Sequence, residues 1–204
     1  MVLESGSMIE YSQEESTCTL DIISYSSAQT QRLGMRLGEL LHGDELILLN
    51  GQLGSGKTTF TQGLAKGLHI TAVISSPTFT LLKEYRSQVQ LASDETDTAE
   101  IVAMRLGSAQ SEAYSLYHFD LYRLDDPDEI IDLGFEDYFY NPNPGSGICV
   151  VEWADKADAL WPTERLSICL NALDEARRGL LFVATGVRYC ELLRQFSEEN
   201  ICDY

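Results

Sequence analysis

Eight consecutive residues, Gly51-Gln52-Leu53-Gly54-Ser55-Gly56-Lys57-Thr58, fit the pattern GxxxxGK[ST] without departure. The chemistry that asks for these types is the cradling of a nucleoside triphosphate. Glycines let the backbone curl until successive N–H groups point at phosphate oxygens, where a side chain would collide. A helix beginning at the lysine offers its first amides and its dipole to the same anion. Lys57 brings a cation toward the β- and γ-phosphates, the Thr58 hydroxyl is placed to ligate Mg2+, and Thr59 extends the nucleotide-binding run by one residue.

Such a loop needs a carboxylate near the metal, usually at the end of a neighbouring buried strand. Two residues qualify: Glu152, which follows the apolar ICVV, and Asp120, which ends the strand-like YSLYHF. Each alone is as readily a strand-end carboxylate facing solvent. Thr78, after Ser76-Pro77, is a switch-type residue that senses the γ-phosphate, or else part of a plain turn. Trp153 either stacks on a base or packs in the core, and spacing alone favours the core. A GTPase would carry an [NT]KxD base-reading motif and a DxxG switch. The nearest base motif is Asp155-Lys156-Ala157-Asp158, with Asp where a carboxamide belongs, and DxxG is absent. A small-molecule kinase would carry several arginines in a mobile lid; here the C-terminal half offers adjacent Arg177-Arg178 in a turn, with Arg165, Arg188 and Arg194 scattered. Three readings follow: an ATPase, a P-loop small-molecule kinase, and a nucleotide-dependent regulatory binding module.

The elements that must position these residues are legible in the hydropathy pattern. Residues 18–23 predict a strand, and Ser26 or Ser27 caps a helix whose Leu33, Leu37, Leu40 and Leu41 follow helical spacing. Gly43-Asp44 is a turn before the apolar run 45–50, which has the length of a buried parallel strand. The glycine-rich loop leads into a helix from Lys57 to Leu68, stopped at Gly67. A β-rich stretch runs to Tyr85. Residues 86–113 turn polar and acidic, with a weak helical patch at Ile101–Leu106, and predict an inserted surface excursion. Strand character returns over Tyr114–Asp120. Asp125-Asp126-Pro127 opens a short acidic helix ended by Gly134, and its seven acids between Asp125 and Asp137 form a solvated face. After a turn-rich break at 141–147 come a strand at Ile148–Glu152, two β-runs at 165–172 and 179–186 joined by DEARRG, and an amphipathic helix at Tyr189–Phe196. This order predicts an α/β, P-loop NTPase-like, mainly parallel sheet flanked by helices in a single domain. The divisions are an N-terminal tail at 1–17 (with 1–7 resembling a cloning scar), the domain at 18–188, and a C-terminal helix or tail at 189–204.

Composition narrows the partners. The 204 residues carry 14 basic and 32 acidic side chains, a net charge of −18. That field repels phosphate backbones and anionic membranes, so direct tRNA or DNA binding is disfavoured. There is no apolar run of bilayer-spanning length and no secretion signal, which predicts a cytoplasmic protein. The five cysteines are odd in number and widely spaced, with no CxxC, so neither a disulfide framework nor a zinc site is expected. The three histidines are isolated.

The succession GQLGSGKTTFTQGLAKGL, SSPTFTLLKEY, YHFDLYRLDDPDEIIDLGFEDYF and ICVVEWADK resembles the TsaE (YjeE) family, the small ATPases of bacterial tRNA threonylcarbamoyladenosine synthesis. The ordered set SPTF, HFDLYRL and VEW is far more specific than the P-loop by itself. The resemblance spans about residues 20–186 apart from the excursion at 86–113. It implies ATP as the nucleotide and Gly51 to Thr58 as the phosphate cradle. It puts Thr58 and Glu152 on the magnesium ligands, Asp120 on the carboxylate needed for hydrolysis, and Thr78 on the switch-like threonine. Trp153 falls near the nucleotide, the helix start at Ser26–Ala28 beside the adenine, and Arg177 or Arg178 near the phosphates. It further implies an accessory subunit for modification of tRNA adenosine 37, weak alone and stimulated by a transferase–paralogue heterodimer of the TsaD and TsaB type. The tRNA would then be met only indirectly.

Overall fold

The computed structural model describes residues 10–12, 16–87, 114–124, 126–135, 137–140 and 147–201. Most of the 86–113 excursion, Asp125, the break at 141–146 and most of the expected N-terminal tail lie outside the described residues.

The strands are β1 (Glu10–Ser12), β2 (Thr17–Ser24), β3 (Leu46–Asn50), β4 (Leu82–Arg86), β5 (Ser115–Asp120), β6 (Ile148–Glu152), β7 (Arg165–Ala172) and β8 (Arg178–Thr185). They form one sheet in the order β1-β2-β8-β7-β3-β6-β5-β4. The four central strands β7, β3, β6 and β5 are parallel, whereas β1, β2 and β8 on one side and β4 on the other pair antiparallel. The parallel architecture expected from the apolar runs is thus the centre of a mixed sheet. Strand β1 falls within the span assigned to the N-terminal tail.

The central strands are apolar throughout because both their faces are covered. Ile47 and Leu49 of β3 join one core with helices α1 (Ser27–Glu39), α2 (Lys57–Gly67) and α5 (Val187–Ile201). Leu46 and Leu48 face the opposite core, which includes Phe119, Leu121, Ile130, Val151 and Trp161. That second core lies under two short helices, α3 (Asp128–Asp132) and α4 (Asp137–Tyr140), and a 3-10 helix at Ala154–Leu160. Asp126, Asp128, Glu129, Asp132 and Asp137 are all exposed, so the acidic helix is a solvated face among its described residues.

Helix α1 starts at its expected cap: Ser26 Oγ accepts from the Gln29 amide at 3.1 Å. Helix α2 ends at Gly67, as expected. The left-handed residue beyond its end is His69, with φ 58°, and Gly67 also serves a second purpose. A Cβ on Gly67 would lie 2.1 Å from the Met35 carbonyl oxygen, and one on Gly63 only 1.9 Å from that of Gln31. Gly34 and Gly38 of α1 show the same closeness to Phe60 and Leu64. Two small-residue pairs spaced by four therefore let α1 and α2 touch backbone to backbone, which fixes the helix that follows the P-loop.

At the far end of the sheet, α5 begins earlier than expected and is pinned to the turn before β3. Arg188 Nη2 donates to Glu45 Oε1 at 2.6 Å and to the Gly43 carbonyl at 2.7 Å, and Tyr189 Oη accepts from the Leu46 amide at 2.8 Å. Burial pushes the Glu45 carboxyl above its ordinary value, opposed by Arg188 and by the His42 and Gly43 amides. Among the described residues, Cys18, Cys149, Cys169 and Cys190 are free thiols, and no helix is long and apolar enough to cross a membrane.

Candidate functional site

Strand β3 ends at Asn50 and delivers the chain into the glycine-rich loop, where Gly51, Gly54 and Gly56 adopt φ of 137°, 76° and 106°. These are left-handed conformations that glycine takes at little cost. Gly51 is also wedged against β7, since a Cβ there would lie 2.2 Å from the Leu170 carbonyl oxygen. Helix α2 then begins with no side-chain cap and no acid in its first turn. Its leading amides are left for an anion, the arrangement a phosphate fits. The side chain of Thr30 in α1 lies beside Gly56, which brings the start of α1 against the loop.

Lys57 folds back over this loop. Its Nζ donates to the Gly51 carbonyl at 2.7 Å and the Gln52 carbonyl at 3.1 Å, and stands 3.8 Å from the centroid of the Trp153 ring. Burial holds the lysine below its ordinary pKa, while the charges of Glu152, Asp120 and Asp155 act the other way. Trp153 is half-buried against the second core, and its other neighbour is Tyr122, with ring centroids 4.9 Å apart.

The two predicted carboxylates are register partners at the ends of adjacent parallel strands, Asp120 on β5 and Glu152 on β6. Both are 2% exposed. Glu152 Oε2 accepts from Thr58 Oγ1 at 3.1 Å, and its Oε1 pairs with His118 Nε2 at 2.9 Å. Asp120 Oδ2 accepts from Thr78 Oγ1 at 2.6 Å and, at very short range, from Ser76 Oγ. Its Oδ1 accepts from the Tyr122 amide at 2.9 Å. Lys57, Thr58, Thr78, Asp120, Glu152 and Trp153 thus converge at the C-terminal ends of the central strands, where a nucleotide is expected in an open α/β sheet.

The segment carrying Ser76 and Thr78 is tied at both ends. Gln62 of α2 donates to the Ile74 carbonyl at 3.1 Å, and Leu81 accepts at its carbonyl from the Asp120 amide at 3.0 Å. Between them Phe79 projects outward, 83% exposed, with the Arg123 guanidinium 4.1 Å from its ring centroid.

Arg177 is not drawn into this cluster. Its guanidinium is bound to Asp174 at 2.6 Å within the β7–β8 turn, and the Arg177 amide, then this guanidinium and the Ala176 amide, hold the Asp174 carboxyl down at about 2. Of the arginine pair it is Arg178 that reaches the loop, with Nη2 3.4 Å from the Gly54 carbonyl oxygen.

His118, Ser76 and Tyr122 were not singled out by sequence reasoning. The available signal was alternation: His118 lies two residues before Asp120 on the same strand face, and Ser76 two before Thr78. This donor set fits magnesium, which takes oxygen ligands. Thr58 and Glu152 offer oxygen ligands, whereas no group of three or more His, Cys, Asp or Glu among the described residues is arranged to hold a metal alone.

A family profile described as threonylcarbamoyl adenosine biosynthesis protein TsaE matches residues 24–97 and 103–180. Within the 86–113 segment it leaves residues 98–102 outside the match. A protein of Bacillus subtilis described as tRNA threonylcarbamoyladenosine biosynthesis protein TsaE is 37% identical over 156 residues, which is 76% of this chain and 80% of that one. One of the same description from Treponema pallidum is 33% identical, over 78% of this chain and 96% of its own. The crystal structure of Bacillus subtilis YdiB matches with a TM-score of 0.65 at 28% identity, covering 96% of this chain and 99% of that one. A profile match over most of the chain, relatives above 30% identity and a P-loop in its structural setting agree: the chain belongs to the TsaE family.

Proposed function

We propose that the protein is an Mg2+-dependent ATPase, slow by itself, that supports threonylcarbamoyladenosine modification of tRNA adenosine 37 beside a transferase–paralogue pair of the TsaD and TsaB type. The observation that carries this reading is the continuous chain of contacts from the P-loop through Thr58 to Glu152, with Asp120 as its neighbour on the next strand. The loop amides and Lys57 hold the phosphates, with Gly51 to Thr59 as the nucleotide-binding run. Thr58 and Glu152 hold Mg2+, which when bound neutralises charge on the β- and γ-phosphates. Asp120 orients water: an Oδ2 that already accepts from two hydroxyls can hold the O–H of a water in their place. Thr78, one of those hydroxyls, couples this exchange to the state of the site. The start of α1, whose Thr30 lies beside Gly56, would meet the adenine.

The slow solitary turnover follows from the arginines. Arg177 is engaged by Asp174, and Arg178 is bound to the turn carbonyls of Asp174, Glu175 and Arg177 as well as to Gly54. Neither is free to act as the finger that is worth ~10³–10⁵ in rate in related hydrolases. A partner that supplies one, or orders the Thr78 segment, would accelerate hydrolysis. A chain at −18 suits a basic partner that itself grips the tRNA.

The test is ATP turnover together with threonylcarbamoyladenosine yield, with the partner pair titrated against this chain. The expected result is stimulation by the pair that weakens with salt, and a multi-cycle yield only when this chain and ATP are both present. Fast partner-independent hydrolysis, or a yield indifferent to this chain, would overturn the reading.

A further inference from the structure

Trp153 combines three features that packing alone does not require together. Its backbone is left-handed, φ 60° and ψ 40°, a conformation a bulky residue adopts only where its surroundings impose it. That backbone is held from both sides, since its amide donates to the Leu49 carbonyl at 2.9 Å and its carbonyl accepts from the Lys156 amide at 3.2 Å. The indole so directed meets the Lys57 ammonium at 3.8 Å from its centroid and packs against Tyr122.

We propose that Trp153 is a positioning residue: its indole is a seat for the Lys57 ammonium, holding it on the P-loop before nucleotide arrives. An ammonium over an indole face is attracted by the ring quadrupole, most strongly where water is excluded. The Gly51 and Gln52 carbonyls fix the same Nζ from the loop side, so the lysine is bounded by two carbonyls and one ring. Lysine has among the largest rotamer freedoms of any side chain, and freedom already lost in the free protein is not lost again on binding. Tyr122 supports the seat. Its amide also binds Asp120, so the residue that backs the tryptophan is joined to the hydrolytic carboxylate. The inference rests on the reading of Gly51–Thr58 as an ATP site only for its consequence; the seat itself is a property of the nucleotide-free protein.

The experiment uses the whole chain labelled with 13C-lysine. There are four lysines, Lys57, Lys66, Lys83 and Lys156, and Lys57→Arg identifies the signal of interest. In nucleotide-free protein the Lys57 ε-methylene protons are expected upfield of the other three, displaced by the indole ring current. The displacement is lost in Trp153→Leu and largely kept in Trp153→Phe. The dissociation constant for Mg-ATP should rise roughly 2- to 30-fold in Trp153→Leu, the span of a single cation–π contact, and recover in Trp153→Phe. Four ordinary lysine signals in the unmodified protein would overturn the proposal, and need no variant to fold. A displaced signal that survives Trp153→Leu, or equal or tighter ATP binding by that variant, would also overturn it. A displaced signal in a protein that binds no ATP would leave the seat standing and refute the nucleotide reading instead.

Discussion

His118 gives the most demanding test of how the site is held. Its ring is fully buried, and its Nε2 lies 2.9 Å from Glu152 Oε1, a carboxylate only 2% exposed. The change His118→Leu keeps an apolar side chain of similar bulk but removes the donor. Glu152 then retains Thr58 on Oε2 and has no partner on Oε1. Leaving a buried charged acceptor unpaired costs about 3 kcal/mol. The loss is partly offset, because His118 Nδ1 is itself buried with no hydrogen-bond partner among the described residues, and that penalty disappears with the ring. A net destabilisation of about 2 kcal/mol corresponds, at this chain length, to a melting temperature lower by roughly 4–8 °C. The second consequence concerns orientation. Partners that orient a metal-ligating side chain are worth roughly 10–100-fold in metal affinity. The assay is thermal unfolding together with an Mg2+ titration of ATP binding. His118→Leu should lower the melting temperature and raise the Mg2+ midpoint, and His118→Gln, which restores an N–H donor, should recover much of both. A lowered melting temperature with an unchanged Mg2+ midpoint would show that His118 only fills space, and unchanged values of both would refute the pairing.

Three further outcomes follow from the same geometry. Asp120→Asn keeps an acceptor for the Tyr122 amide but loses the charge at Oδ2, so ATP affinity should be nearly intact while hydrolysis falls by roughly 10²–10⁴, measured as single-turnover phosphate release. Thr58→Ala should weaken Mg2+-dependent nucleotide binding while leaving binding measured in chelator little changed, as read by calorimetry with and without the metal. Gly63→Ala puts a methyl into space already taken by the Gln31 carbonyl, so α1 and α2 must part; overpacking of this kind costs about 1–3 kcal/mol or more, visible as a lower urea midpoint, and ATP binding should weaken with it.

The fold was legible wherever one strand carried its own evidence. The runs LILLN and ICVVE are apolar at every position but the last because each is covered on both faces, and burial of that kind needs no knowledge of the partner strand. What could not be read were relations between distant segments. Gly34, Gly38, Gly63 and Gly67 are four unremarkable letters until α1 is laid on α2, where each replaces a clash. Gly67 does end α2, but its second use, the close approach to Met35, is invisible in spacing, because glycine near a helix end has two physical uses. The antiparallel flanks of the sheet depend in the same way on where β2 and β4 return.

The site divides along the same line. The P-loop was complete in sequence because its function resides in consecutive backbone amides, and Asp120 and Glu152 were found because each is the polar residue that ends an apolar strand. His118, Ser76 and Tyr122 act through residues that only the sheet brings near: Ser76 reaches a carboxylate 44 positions away, and His118 one 34 positions away. Arg177 and Arg178 were inseparable in sequence because a hairpin turn decides which points inward. The assembled charges also explain a need that no single motif states. Asp120 and Glu152 stand buried beside Lys57 and would repel a triphosphate if the lysine were its sole counter-charge. A divalent cation held by Glu152 and Thr58 would offset that repulsion. On the proposed function, the pair of acids beside the P-loop would favour the metal–nucleotide complex over the bare nucleotide.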